Sequence, residues 1–218
     1  MVYLKLLDNN NDKSSNIDFD TLPCNNVELK QPLSADEVKK ALNNLKVGKC
    51  PSTFDNILNE YIKYNENNVY LQLLCKLFNL VFESGIFLEV WNRGTIRPMY
   101  KNKGNTNDPD NYRGIIILTC MGKPFTTLLN NRLTKSLDSY NVICEEQAGF
   151  VSTVDHIFSL KLCIDYYLLK GKTLNCAFIN YTTNVCRVDR IALWHKLLDN
   201  STDGNFIRVI HNTYTVAV

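Results

Sequence analysis

Trp91-Asn92-Arg93-Gly94-Thr95-Ile96-Arg97-Pro98-Met99-Tyr100-Lys101 and Asn111-Tyr112-Arg113-Gly114-Ile115-Ile116-Ile117-Leu118 decide the fold of this 218-residue chain. Residues 95–100 and 114–118 are rich in β-branched and aromatic side chains and read as two strands. Pro98 has no N–H to give to a ladder, which confines the first strand to an edge or an irregular position. Between them lies a polar loop containing Gly104 and Pro109, suited to the tip of a two-stranded ribbon. Residues 91–135 hold eight bases, Arg93, Arg97, Lys101, Lys103, Arg113, Lys123, Arg132 and Lys135, against two acids, Asp108 and Asp110. That segment is +6 within a chain of net charge +2. A basic stripe on a nearly neutral chain is what a phosphate-tracking surface requires. The plain alternative is a solvated surface with its cations spread over several faces.

Helices are expected on both sides of the ribbon. Ser34-Ala35-Asp36-Glu37 is a capping box, and Val38, Ala41, Leu42 and Leu45 give the helix behind it an apolar face, with Gly48 as its stop. Asp55 is a candidate cap for a short helix through Tyr61. Residues 69–83 form a helix with Leu73, Leu74, Leu77, Phe78 and Val81 on one side, ended by Gly85. Beyond the ribbon, residues 125–137 and 152–169 read as helices, the second opened by Ser152 and Asp155. After a turn at Gly171, residues 175–181 read as a buried strand. Asp189 caps a helix carrying Ile191, Trp194, Leu197 and Leu198, and a last helix starts near Asp203. Residues 1–32, rich in Asn, Asp and Ser, read as a linker before a domain at 33–218.

Composition bounds the rest. Hydrophobic content of 45% with 21% charged residues is that of a soluble globular chain. No run approaches the ~18 apolar residues of a membrane span, and the apolar start is too short for a signal peptide. The expected location is intracellular, cytoplasm or nucleus. The eight cysteines include no C-x-x-C pair, so they read as reduced, mostly buried thiols rather than zinc ligands. His156, His195 and His211 form no cluster in sequence.

Several motifs follow in a specific order. Leu45-Lys46-Val47-Gly48-Lys49-Cys50-Pro51-Ser52-Thr53-Phe54-Asp55 precedes the basic segment. Gln147-Ala148-Gly149-Phe150 follows it, then Ser152-Thr153-Val154-Asp155. Last comes Cys176-Ala177-Phe178-Ile179-Asn180-Tyr181-Thr182-Thr183-Asn184-Val185-Cys186-Arg187-Val188-Asp189-Arg190. Over roughly residues 34–200 this order resembles the reverse-transcriptase domain of non-LTR retrotransposons, the RNA-directed DNA polymerases of these transposable elements.

The resemblance implies an α+β fold: helix-rich fingers with a two-stranded ribbon, then the first part of a palm, with the later palm and thumb absent. It implies that Lys101 and Arg113 contact the triphosphate of an incoming nucleotide, and that Lys103, Lys123 and Arg132 contact template or primer phosphates. Gln147, Gly149 and Phe150 mark the family, although the Arg that usually follows is missing and the connection to Ser152 is shorter. Asn180 stands where the family has a metal-binding Asp, Val185 where an aromatic residue lies under the sugar, and Cys186 where a further Asp is found. Intact members use magnesium. This chain is expected to hold no cofactor as it stands, because Asn180 is neutral and no Asp-Asp pair occurs in the sequence.

The expected function is that of a catalytically inactive reverse-transcriptase fragment. The alternative is a non-catalytic nucleic-acid-binding module retaining the basic fingers, with RNA or an RNA–DNA duplex as partner. Two further readings are a helical interaction protein that leaves the 69–83 stripe exposed, and one exon of a longer active enzyme. The sequence gives no oligomeric state.

Overall fold

The computed structural model describes residues 27–51, 54–143, 154–178 and 188–215. Two compact units divide the chain: Met1–Ser136 with Asp189–Val218, and Leu137–Val188.

The first unit begins inside the expected linker. Helix α1 (Val27–Lys30) buries Leu29, and Leu33 is buried just after it. Burial of these two leucines is favourable by the apolar area they remove from water. Helix α2 (Ala35–Asn43) has the expected capping box: the Glu37 N–H donates to Ser34 Oγ at 3.3 Å, and the Ser34 N–H donates to Glu37 Oε2 at 2.9 Å. It stops at Asn44, four residues before Gly48, which instead takes a positive φ of 67° in the following loop.

Helix α3 (Asn59–Lys63) starts later than expected and has no side-chain cap. Asp55 is otherwise engaged, as described below. Helix α4 (Asn68–Ser84) is capped by Asn67 and ends on Gly85, whose φ of 70° closes the last turn in the left-handed conformation that glycine adopts without strain. Its buried face is Leu74, Phe78, Val81 and Phe82, whereas Leu73 is 60% exposed. The inward stripe is therefore rotated slightly from the sequence expectation.

Short helix α5 (Glu89–Asn92) delivers Trp91 to the core. Strands β1 (Gly94–Tyr100) and β2 (Tyr112–Leu118) then form an antiparallel two-stranded sheet. Helix α6 (Gly122–Ser139) follows, burying Phe125, Leu128 and Leu129. Phe78, Phe87, Trp91 and Phe125 meet around one point, with Trp91 5.7 Å from Phe78 and 5.6 Å from Phe125. Edge-on and tilted arrangements of this kind let the positive ring edges meet the negative faces.

The unit is completed by helices α8 (Arg190–Asp199) and α9 (Gly204–Thr215). Asp189 caps α8 as expected, accepting from the N–H groups of Ile191 and Ala192. Asp203 accepts from the Phe206 N–H at 3.1 Å and lies 3.6 Å from Lys30 Nζ. Phe206 and Val209 join the main core, and Ile207 packs with Trp194 and Leu197.

In the second unit, helix α7 (Val154–Leu169) buries none of its residues. Its apolar side chains lie on every side of the helix, with Phe158 at 61% and Leu169 at 89% exposure. The strand expected at 175–181 is not formed over its described part, 175–178, and the remainder lies outside the described residues. Among the described residues no strand neighbours 175–178 to satisfy their backbone, and the apolar run alone does not make one. The cysteines also depart from expectation. Of the five described, Cys120 is buried and Cys75 half-buried, while Cys50, Cys163 and Cys176 are exposed. No helix among the described residues is long and apolar enough to cross a membrane.

Candidate functional site

The ribbon is fastened at its root. Thr119 Oγ1 donates to the Trp91 carbonyl at 3.1 Å, tying the end of β2 to the residue that leads into β1. Gly122 presses against the same residue: a Cβ there would stand 2.9 Å from the Trp91 carbonyl oxygen. Asp55 Oδ2 accepts from the Cys120 N–H at 2.7 Å, and Asp55 Oδ1 from the Ile57 N–H at 3.1 Å. The carboxylate expected to cap a helix thus joins the Leu45–Asp55 motif to the ribbon root. Around Cys120, whose Sγ donates to Asn59 Oδ1 at 3.0 Å, burial pushes the thiol up to about 11.

The Gly-Lys turn of that motif is held from below. Asn59 Nδ2 donates to the Lys46 carbonyl and Lys63 Nζ to the Leu45 carbonyl, both at 2.8 Å. The Gly48 N–H donates to Glu60 Oε1, which holds the Glu60 carboxyl below its ordinary value. Lys49 is thereby presented on a braced turn and remains exposed.

At the other end, the ribbon tip is built from its own polar groups. Tyr100 Oη donates to the Gly104 carbonyl at 2.6 Å and Tyr112 Oη to the Thr106 carbonyl at 2.9 Å. Asn111 Nδ2 donates to the Asn105 carbonyl at 2.9 Å. Gly104, at φ 84°, lies so close to the Asn111 side chain that a Cβ would stand 2.5 Å from it.

Register then arranges the cations. Arg97 pairs with Ile115, Met99 with Arg113, and the Lys101 N–H donates to the Asn111 carbonyl at 2.8 Å. Directly opposed residues share a face and alternate residues return to it, so Arg97, Lys101 and Arg113 belong to one face. Lys101 and Arg113 are diagonal neighbours, roughly 7–8 Å apart at the backbone. Both are exposed, and Lys101 Nζ donates to the Asp110 carbonyl at 2.6 Å. Lys103 is exposed in the tip loop. Lys123, half-buried at the start of α6, lines a shallow cleft of about 350 Å³ with Lys49, Cys50, Ile116, Ile117 and Leu118. Arg97, Lys103, Arg113, Lys123 and Lys49 form no ion pair among the described residues.

Arg132 stands apart. Its Nε donates to Glu37 Oε1 at 2.7 Å, and its terminal nitrogens donate to Glu37 Oε2, the Gln31 carbonyl and the Pro32 carbonyl at 2.6–2.9 Å. The guanidinium also lies 5.9 Å from the Phe82 ring centre. A fork filled by a carboxylate and two carbonyls gives Arg132 a part in holding the fold together. The same contact holds the Glu37 carboxyl at about 2.

Sequence reasoning passed over Arg97 and Lys49 as site residues. The signals were present: Arg97 has the same parity along β1 as Lys101, and Lys49 lies in the quoted glycine-lysine turn. Gln147, Gly149, Phe150, Asn180, Val185 and Cys186 lie outside the described residues.

No family model matches the chain. It is 32% identical over 126 residues to the RNA-directed DNA polymerase from mobile element jockey of Drosophila melanogaster, covering 56% of this chain and 14% of that protein. It is 25% identical over 168 residues to the probable RNA-directed DNA polymerase from transposon BS of the same organism, covering 76% of this chain and 18% of that protein. The chain therefore spans less than a fifth of the length of either relative. In its motif order and helix-rich α+β fold, and by these two similarities, the chain resembles part of the RNA-directed DNA polymerases of two mobile elements.

Proposed function

We propose that this chain is the fingers and first palm portion of a reverse-transcriptase domain, retaining a phosphate-binding ribbon but unable to catalyse nucleotidyl transfer. The observation that carries the binding half is the β1–β2 register, which collects Arg97, Lys101 and Arg113 on one exposed face. Cations fixed on a hydrogen-bonded ribbon are placed before the ligand arrives, so little ordering remains to be done on binding. Lys103 at the tip and the Lys49–Lys123 pair near the root extend the positive surface along the ribbon. The partner proposed is RNA or an RNA–DNA duplex, with an incoming nucleotide triphosphate as the ligand of Lys101 and Arg113.

The catalytic half rests on the donor set. Nucleotidyl transfer uses two divalent ions about 4 Å apart to stabilise the attacking and leaving oxygens. Magnesium keeps most of its water and depends on carboxylate charge for its hold on a protein. Asn180 offers a neutral carbonyl oxygen where the family has a carboxylate, and Cys186 replaces a second Asp. These residues do not fit magnesium.

Two measurements test the proposal. Affinity for a primer–template RNA–DNA duplex should fall steeply with salt, and the slope should drop by about two when Lys101 and Arg113 are both changed to Ala. Salt-independent binding, or none, refutes the binding half. The purified chain should extend no primer with magnesium or manganese, and template-dependent synthesis refutes the catalytic half. Asn180→Asp alone should restore nothing, since the 218 residues contain no Asp-Asp pair to complete a metal site.

A further inference from the structure

Among the described residues, no strand pairs with the outer edge of strand β2. Because the Lys101 N–H donates inward to the Asn111 carbonyl, bonded and non-bonded pairs alternate along the ribbon from that point. Pro98 and Gly114 then fall in a non-bonded pair, consistent with a proline that has no N–H to give inward. It follows that the N–H and C=O groups of Gly114, Ile116 and Leu118 point away from β1. Among the described residues no strand pairs with that side of β2, and none of these three residues has another bonding partner. The outer edge of β1 is different, since Pro98 interrupts its row of donors.

The cleft beside β2 supplies a second, independent observation. It is lined by three consecutive β2 residues, Ile116, Ile117 and Leu118, and by none of β1, which sets it along the open edge. The same cleft is lined by Lys49 and Lys123. An extended backbone with negative side chains at one end matches both features. A second copy of β2 does not: edge-to-edge pairing would bring Arg113 of the copy toward the two lysines, setting like charges together.

We propose that the outer edge of β2 is a docking site for an extended acidic peptide segment, which adds as a third strand and is held in register by Lys49 and Lys123. Main-chain hydrogen bonds to Gly114, Ile116 and Leu118 would supply affinity, and the lysines would select the acidic end. The β2 edge is distinct from the face of Arg97, Lys101 and Arg113, although its two lysines also belong to the positive surface of the ribbon.

The test uses the full chain and the labelled peptide acetyl-Thr-Val-Thr-Val-Thr-Val-Glu-Glu-amide, with fluorescence anisotropy as readout. A control peptide has alternate amides N-methylated on the edge that would face β2, which removes donors while keeping every charge. Binding of the parent peptide, weakened by about ten-fold or more in the control, is expected for strand addition. Slowed amide exchange at Gly114, Ile116 and Leu118 should accompany it. Changing Lys49 and Lys123 together to Gln should weaken the parent peptide, whereas changing Lys101 and Arg113 together to Ala should leave peptide affinity in place. Equal binding of parent and N-methylated peptides, absence of binding, displacement by RNA without any N-methylation effect, or protection of the edge by dimerisation of the chain alone each overturns the proposal.

Discussion

Arg132 and Glu37 show how one pair can move from an expected surface role to a structural one. The residues are 95 apart in sequence, and nothing local announces that they meet. Arg132 was legible as a cation but not as a clamp, because its partners are a helix-capping carboxylate and two carbonyls near the chain start. The clamp makes a prediction about pH. The Arg132 hydrogen bond lowers the Glu37 carboxyl from 4.5 to about 2, against the opposing effect of burial. A depressed carboxylate contributes stability above its unfolded value, and that contribution disappears as pH falls through the folded value. Urea unfolding should therefore show stability declining between pH 4.5 and about 2, and Glu37→Gln should flatten that decline. An unchanged pH profile in the variant would remove Glu37 from the account. Arg132→Ala should cost about 2–3 kcal/mol, because it leaves a charged carboxylate and two carbonyls without their donor. Its salt slope for duplex binding should match that of the parent chain.

Elements were read well wherever a local signal ended them. Ser34 with Glu37, Asp189 and Gly85 each mark a helix end through a cap that depends only on nearby residues, and each is found in its expected place. Both strands were legible from their β-branched runs, and the polar tip between them from its glycine and proline. Asp55 and Gly48 misled because their roles depend on tertiary partners: Asp55 on Cys120 across the ribbon root, and Gly48 on Glu60. The cations were legible in the sequence, and the register added what the sequence could not, which of them share a face. The ribbon root also carries a prediction. Gly122→Ala places a methyl group 2.9 Å from the Trp91 carbonyl, and neither backbone can yield cheaply. The variant should lose about 1–3 kcal/mol in chemical denaturation, as overpacked sites do. Wild-type stability would mean that α6 can shift away from Trp91 without cost.

At the scale of the whole molecule, the two units differ in how their apolar residues are used. The first has an aromatic centre and buries most of its large apolar side chains in two clusters, whereas α7 in the second exposes apolar side chains on all sides. Exposed apolar area of this extent binds hydrophobic dyes and promotes association. Replacing Ile157, Phe158 and Leu168 with Lys should reduce dye fluorescence by about half or more while leaving the melt of the first unit unchanged, since α7 contributes nothing buried. A lowered melting temperature would show that α7 supports that core after all. Pro98 bears on association in another way. A flat ribbon with two open margins can stack indefinitely, each newcomer serving as the template for the next. With β1 interrupted at Pro98, a second molecule joining through β2 would leave only blocked margins outward, and growth would end there. A single missing hydrogen atom thus biases stoichiometry: strand addition is favoured on one margin of this ribbon over the other.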